Sequence, residues 1–189
     1  MRDRTSKEAT YLRPALLAGL LFLSACSYLP GGPDPRPCPV VATLGDAETI
    51  THFIDGPGRD LTDLDFTGRI NNLKGKCFYE IDSDTGEGVA RVTVNTEFKI
   101  VRGGGNKTRQ AHFEYFVSLV DDTGTILDKL TFPYTAEYWK NRTFIITSDD
   151  PVELTIPLTG GRVGTDFRIY VGFQLSQEEL DFNRGKIGQ

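Results

Sequence analysis

The chain has 189 residues, 39% of them hydrophobic and 25% charged, with 21 Lys+Arg against 26 Asp+Glu and a formal net charge of −5. That length suits one domain plus a tether. The acidic balance excludes a broad nucleic-acid or anionic-lipid footprint, which needs an excess of Lys and Arg.

Arg2, Arg4, Lys7 and Arg13 make the first residues basic, and residues 15–25 (ALLAGLLFLSA) form a short apolar run ending in small side chains. This is the layout of an export signal, and the run is too short to span a bilayer as a helix. It closes on Leu23-Ser24-Ala25-Cys26, which resembles the lipobox of bacterial lipoproteins. The resemblance implies a diacylated Cys26 thiol, removal of residues 1–25 and acylation of the new amine. The alternative is an ordinary signal peptide with Cys26 as a passing thiol. Buried acyl chains contribute about 0.8 kcal/mol per methylene, so several of them hold a protein on a bilayer without a spanning helix. By the same resemblance, Ser27 after the cysteine favours the outer membrane of a Gram-negative cell over the inner one. The leader holds four basic residues and only two acidic ones (Asp3 and Glu8), so the rest of the chain is more acidic still. That suits a periplasmic domain held off the membrane by charge.

Residues 26–37 form the lipidated cysteine and a tether. The run SYLPGGPDPRP is too rich in Pro and Gly for a helix and extends at about 3 Å per residue, roughly 30 Å in all. The domain is expected over residues 38–184, with a loose tail over 185–189. Cys38 to Leu44 reads as a first short strand. Ala47, Ile50, Phe53 and Ile54 then fall at helical spacing, with Asp46 placed to cap, which predicts a helical turn or two over 45–54. Asp55-Gly56-Pro57-Gly58 is a turn.

The remainder alternates as strands do. Leu64, Phe66, Gly68 and Ile70 share one face of a strand, and Cys77, Tyr79 and Ile81 share a face of the next. Val92, Val94, Thr96, Phe98 and Ile100 form the cleanest half-buried strand. Phe113, Tyr115, Val117 and Leu119 form another, followed by a hairpin turn at Asp121–Gly124 into Thr125–Tyr134. Phe144–Thr147 and Val152–Ile156 flank a break at Asp149-Asp150-Pro151, and Phe167 to Leu175 is the last strand. Ser176 with Glu179 is a capping box that opens a C-terminal helix to about Arg184.

Eight or so strands on short turns, with few helical segments, predict a mainly β, antiparallel sandwich of immunoglobulin or fibronectin type, with one short helix near the start and another at the C-terminus. Trp139 follows both domain cysteines, so the immunoglobulin Cys…Trp…Cys order is absent. The segments CPVVATLGDA, GRDLTDLDFTGRI, Cys77-Phe78-Tyr79-Glu80, YFVSLVD and VGFQLSQEEL with Asn183-Arg184 resemble a group of alphaproteobacterial lipoproteins of uncharacterised function. That resemblance implies location and a β-sandwich, and supplies no catalytic residue.

In an oxidising compartment Cys38 and Cys77 read as one disulfide closing a loop of roughly 38 residues, worth about 3–4 kcal/mol; the alternative is two small buried thiols. Asp82-Ser83-Asp84-Thr85-Gly86-Glu87 has the alternating acids of a calcium loop but lacks a distal bidentate Glu, so a hairpin turn is the simpler reading. His52 and His112 are isolated, and no metal or cofactor is expected. Arg102-Gly103-Gly104-Gly105-Asn106-Lys107-Thr108 lacks the Gly that a phosphate loop places before its Lys, and it joins two strands. It reads as a mobile basic hairpin tip, and Arg102, Lys107 and Arg109 form the one concentrated positive patch. Tyr138, Trp139 and Arg142 are of interface-favoured types. Trp139 either presents itself at a loop or plugs the open end of the sandwich. No nucleophile has a base beside it, so no catalytic residue and no enzyme is expected.

These readings converge on a lipid-anchored outer-membrane protein whose domain faces the periplasm. It would act as a non-enzymatic interaction or assembly module with an envelope protein partner, and with no nucleic acid. The alternative is a carrier of a small lipid or glycan.

Overall fold

The computed structural model describes residues 36–187. The readings for the leader, for Cys26, for most of the tether and for the last two residues lie outside the described residues. The strands are β1 (Val40–Thr43), β2 (Thr49–Phe53), β3 (Leu64–Ile81), β4 (Gly88–Arg102), β5 (Gln110–Asp121), β6 (Ile126–Glu137), β7 (Phe144–Ser148), β8 (Val152–Leu158) and β9 (Phe167–Phe173), followed by the helix α1 (Gln177–Ile187). They form two sheets. One has the order β1-β9-β5-β6; the other has the order β2-β3-β4-β7, with β8 also paired to β4.

Strand β4 shows why the chain folds this way. Ala90, Val92, Val94, Thr96, Phe98 and Ile100 are buried, and none of the residues between them is. Its neighbours follow from length: β3 pairs along the whole of β4 on one side, while β7 and β8 share the other. The inward faces of both sheets meet in one apolar core. Phe98 is fully buried at its centre, with ring centroids 5.3 Å from Phe113, 5.0 Å from Tyr115 and 5.7 Å from Phe173. Removing such a side chain typically costs about 3–5 kcal/mol.

Three expectations change. Residues 45–54 do not form a helical segment: Gly45–Ala47 is a single 3-10 turn, and Thr49–Phe53 pairs antiparallel with β3. β-Branched Thr49, Ile50 and Thr51 favour that pairing. Gly68 opposite leaves room for Ile50, whose Cγ2 would lie 2.8 Å from an added Cβ. Second, the two strands read over 64–81 are one. Inward positions are even-numbered up to Ile70 and odd-numbered from Leu73, and a bulge between Ile70 and Asn72 inserts the residue that changes the parity. Third, pairing is not wholly antiparallel, because β1 runs parallel to β9. The C-terminal helix is present as expected and continues past Arg184 to Ile187.

Register gives the domain two poles. The chain enters β1 where Val40 pairs with Arg168 at the start of β9, beside the Asp121 end of β5. Cys38 is bonded to Cys77 there, with Cα atoms 5.7 Å apart, and the Tyr79 hydroxyl donates to the Pro37 carbonyl at 2.6 Å. The turns at 82–87, 121–125 and 159–166 belong to this same pole, joined by Arg162 to Asp121 and Asp122. The opposite pole holds the ends of β4 and β6 and the starts of β5 and β7.

The disulfide spans 39 positions of sequence, for which chain entropy alone predicts about 4 kcal/mol. Cys77→Ser, compared with the oxidised parent by denaturant unfolding, should lose about that much stability. A loss under about 1 kcal/mol would contradict this role for the bond.

Candidate functional site

At the pole away from the disulfide, two loops meet: 103–109 between β4 and β5, and 138–143 between β6 and β7. The glycines of the first serve close approach. A Cβ on Gly103 would lie 2.0 Å from the Leu64 carbonyl oxygen, and Gly105 N–H donates to that oxygen at 2.8 Å. Asn106 holds the loop from inside. It is 1% exposed, and its Nδ2 donates to Asp65 Oδ1 at 2.8 Å and to the Gln110 carbonyl at 2.7 Å, while its Oδ1 accepts from the Arg109 N–H at 2.9 Å. Arg102 Nη2 donates to the Asn106 carbonyl at 2.7 Å. The segment is therefore fastened at several points, where sequence reasoning expected a mobile tip.

The second loop locks onto the first. Tyr138 N–H donates to the Arg109 carbonyl at 3.0 Å, and Arg102 N–H to the Thr143 carbonyl at 2.7 Å. Tyr138 is buried at 4% exposure and Trp139 is 72% exposed. Of the two readings for Trp139, the structure thus selects display; Tyr138 fills the end of the core. Burial raises the Tyr138 phenol pKa, the Asp65 charge adds to the rise, and Arg102 opposes it. Arg102 Nε and the Tyr138 hydroxyl are both buried without a hydrogen-bond partner among the described residues.

The six residues singled out in sequence come together here and divide into two groups. Tyr138, Arg102 and Arg109 are supports, the last with φ of 63°. Lys107, Trp139 and Arg142 are displayed. Beside them an open groove of about 730 Å³ runs between β6 and β7, lined by Trp139, Arg142, Ile145, Ile146 and Thr147 among others. Asn106 was the residue sequence reasoning missed. Its signal was available, as an Asn between a glycine run and a β strand is a common turn-former.

A second cleft, about 410 Å³, lies between β2 and α1. His52 Nδ1 is 2.8 Å from Glu179 Oε1, and Glu179 Oε2 accepts from the Ser176 N–H at 2.8 Å and hydroxyl at 2.9 Å. The carboxylate stands between the hydroxyl and the imidazole, so this is a helix cap fastened to β2, not a nucleophile with a base. The hydrogen bond to Glu179 raises the His52 pKa above its ordinary 6.5 against the effect of burial, and the charges of Glu179, Asp65 and Asp55 add to the rise. Burial pushes Glu179 upward, but hydrogen bonds from His52 and Ser176 outweigh it and hold the carboxyl below its ordinary 4.5. The capping box was legible in sequence. Its histidine partner, 127 residues away, was not.

Asp82 Oδ1 accepts from the N–H groups of Asp84 and Thr85, both at 2.9 Å, so that carboxylate closes its own turn. Among the described residues no group of three His, Cys, Asp or Glu side chains is placed to hold a metal ion. No protein-family model, curated protein or solved structure matches the chain.

Asn106→Ala should cost about 2–3 kcal/mol, because it strands buried partners; denaturant unfolding measures it. The His52–Glu179 pair should make stability depend on pH on both sides. The Glu179 contribution is lost as pH falls through its lowered pKa, and the His52 contribution as pH rises through its raised one. The pair's contribution is therefore complete between about 4.5 and 6.5. Unfolding followed across pH should show this plateau in the parent and a weaker dependence in His52→Gln.

Proposed function

We propose that the chain is a lipid-anchored envelope protein, with Cys26 acylated and an immunoglobulin-like sandwich facing the periplasm from the outer membrane. It acts as a non-enzymatic interaction module. The observation that carries this reading is the polarity of the domain. Pro37 and Cys38 enter the domain at the pole stapled by Cys38–Cys77, and the fastened loops displaying Lys107, Trp139 and Arg142 stand at the opposite pole. A tether at one end and a rigid basic-aromatic surface at the other fit a contact made away from the membrane. Rigid support also keeps the entropic cost of docking low. The basic side chains favour an acidic patch on the partner.

The rings of Phe98, Phe113 and Phe173 occupy the space between the sheets. That weighs against carriage of a lipid or glycan there.

The displayed and supporting residues call for different substitutions. Lys107→Glu with Trp139→Ala alters only exposed side chains and should change stability by less than about 0.5 kcal/mol. Living cells would be cross-linked and the captured envelope proteins quantified by mass spectrometry. The partner's yield should fall about ten-fold or more in the double variant. Equal capture from both proteins would refute the distal loops as the contact surface.

A further inference from the structure

The outermost strand of a sheet carries unpaired N–H and C=O groups, and proteins protect it with charge, Pro or a covering element. Four of the outer strands here are protected. Strand β2 lies under α1, where Asn183 Nδ2 donates to the Thr49 carbonyl at 2.8 Å. Strand β1 is fastened against β3 by Cys38–Cys77, with Val41 so close to Gly75 that an added Cβ would lie 2.5 Å from it. Strand β6 carries Asp128, Lys129, Pro133 and Glu137, and β8 carries Glu153 and Pro157. Strand β7 is different. Its sequence, FIITS, has no charge and no proline, and it pairs only with β4. Its cover is one hydroxyl at its end, where Tyr134 donates to the Ser148 carbonyl at 3.1 Å, and Lys99 over the Phe144 ring; Phe144 and Ile146 are still 46% and 53% exposed.

We infer that β7 is the seat of a homodimer, pairing antiparallel with β7 of a second copy about a two-fold axis at Ile146. The flanking charges choose this occupant. With Ile146 opposite Ile146 of the second copy, Phe144 faces Ser148 and Ile145 faces Thr147. Two steps beyond the strand, Arg142 faces Asp150 of the second copy, and the symmetry repeats the pair. Arg142 and Asp150 are both exposed and neither forms a salt bridge within the chain among the described residues. A sequence with a cation four residues before its centre and an anion four residues after it is complementary to itself only in the antiparallel sense. The groove beside β7 leaves room for the incoming strand and sets Trp139 at its rim. This dimer shares Arg142 and the Trp139 rim with the surface proposed above, but its test reads a pair of engineered cysteines and not the capture of a partner, so the two can fail separately.

Symmetry supplies a specific test. Ile146→Cys, in the full chain, places two thiols on directly opposed residues. Such Cβ atoms are about 4.5–5.5 Å apart, close to disulfide range. Ser148→Cys on the same strand places its two thiols about 14 Å apart in this register, at about 3.4 Å per residue. Under mild oxidation the first should give a band of twice the chain's mass on a non-reducing gel and the second should not. Arg142→Asp or Asp150→Arg in the Ile146→Cys background should lower that band about ten-fold, and both changes together should restore it. No double-mass band, equal bands from both cysteines, or a band of another mass would overturn the proposal. So would indifference to the charge exchange.

Discussion

The bond between Cys38 and Cys77 is the constraint on which the polarity of this domain depends. Strand β1 has only four residues and joins its sheet through one parallel pairing with β9. Parallel pairing of so short a strand is a weak hold. The disulfide fastens the entry to that strand to β3 in the opposite sheet, so both layers are held together there. The Tyr79 hydroxyl on Pro37 and the close approach of Val41 to Gly75 complete the junction. This fixes the pole at which Pro37 and Cys38 enter the domain. The opposite seam, between β6 and β7, has no covalent bridge. Tyr134 Oη shares a 2.5 Å hydrogen bond with Thr147 Oγ1 there, and the groove opens beside it.

The distal loops show how a small domain makes a rigid surface from residues that are not in regular structure. Asn106 offers both ends of its amide inward, and Tyr138 fills the core's end. Arg102 ties each loop to the other, through its guanidinium on Asn106 and its own N–H on Thr143. Supported side chains thus alternate with displayed ones. Tyr138 is in and Trp139 is out; Asn106 is in and Lys107 is out. Contact residues that are already placed lose less freedom on docking, and this is what the proposed interaction role requires of them.

Much of this was legible in sequence wherever a local rule was strong. The period-two pattern of β4 marked its buried face residue by residue, and Ser176 with Glu179 announced the C-terminal helix. Where two rules competed, the weaker signal misled. The helical spacing of Ala47, Ile50 and Phe53 was outweighed by the pairing of Thr49–Phe53 with β3. The change of parity between Ile70 and Leu73 resembled a break between strands and is a bulge. Long-range contacts left no local trace. Nothing near His52 announces Glu179, and nothing near Asn106 announces Asp65. The six candidate residues were found by type, but sequence could not separate supports from displayed groups, because that division is set by burial alone.

The central claim is that the pole opposite the staple is the one that meets a partner. Two full-length proteins would each carry a photo-activated cross-linking side chain, one in place of Trp139 and the other in place of Asp84 in the turn at the stapled pole. Both would be irradiated in living cells. The account predicts adducts with an envelope protein from position 139 and none from position 84. Adducts from position 84 alone would contradict it.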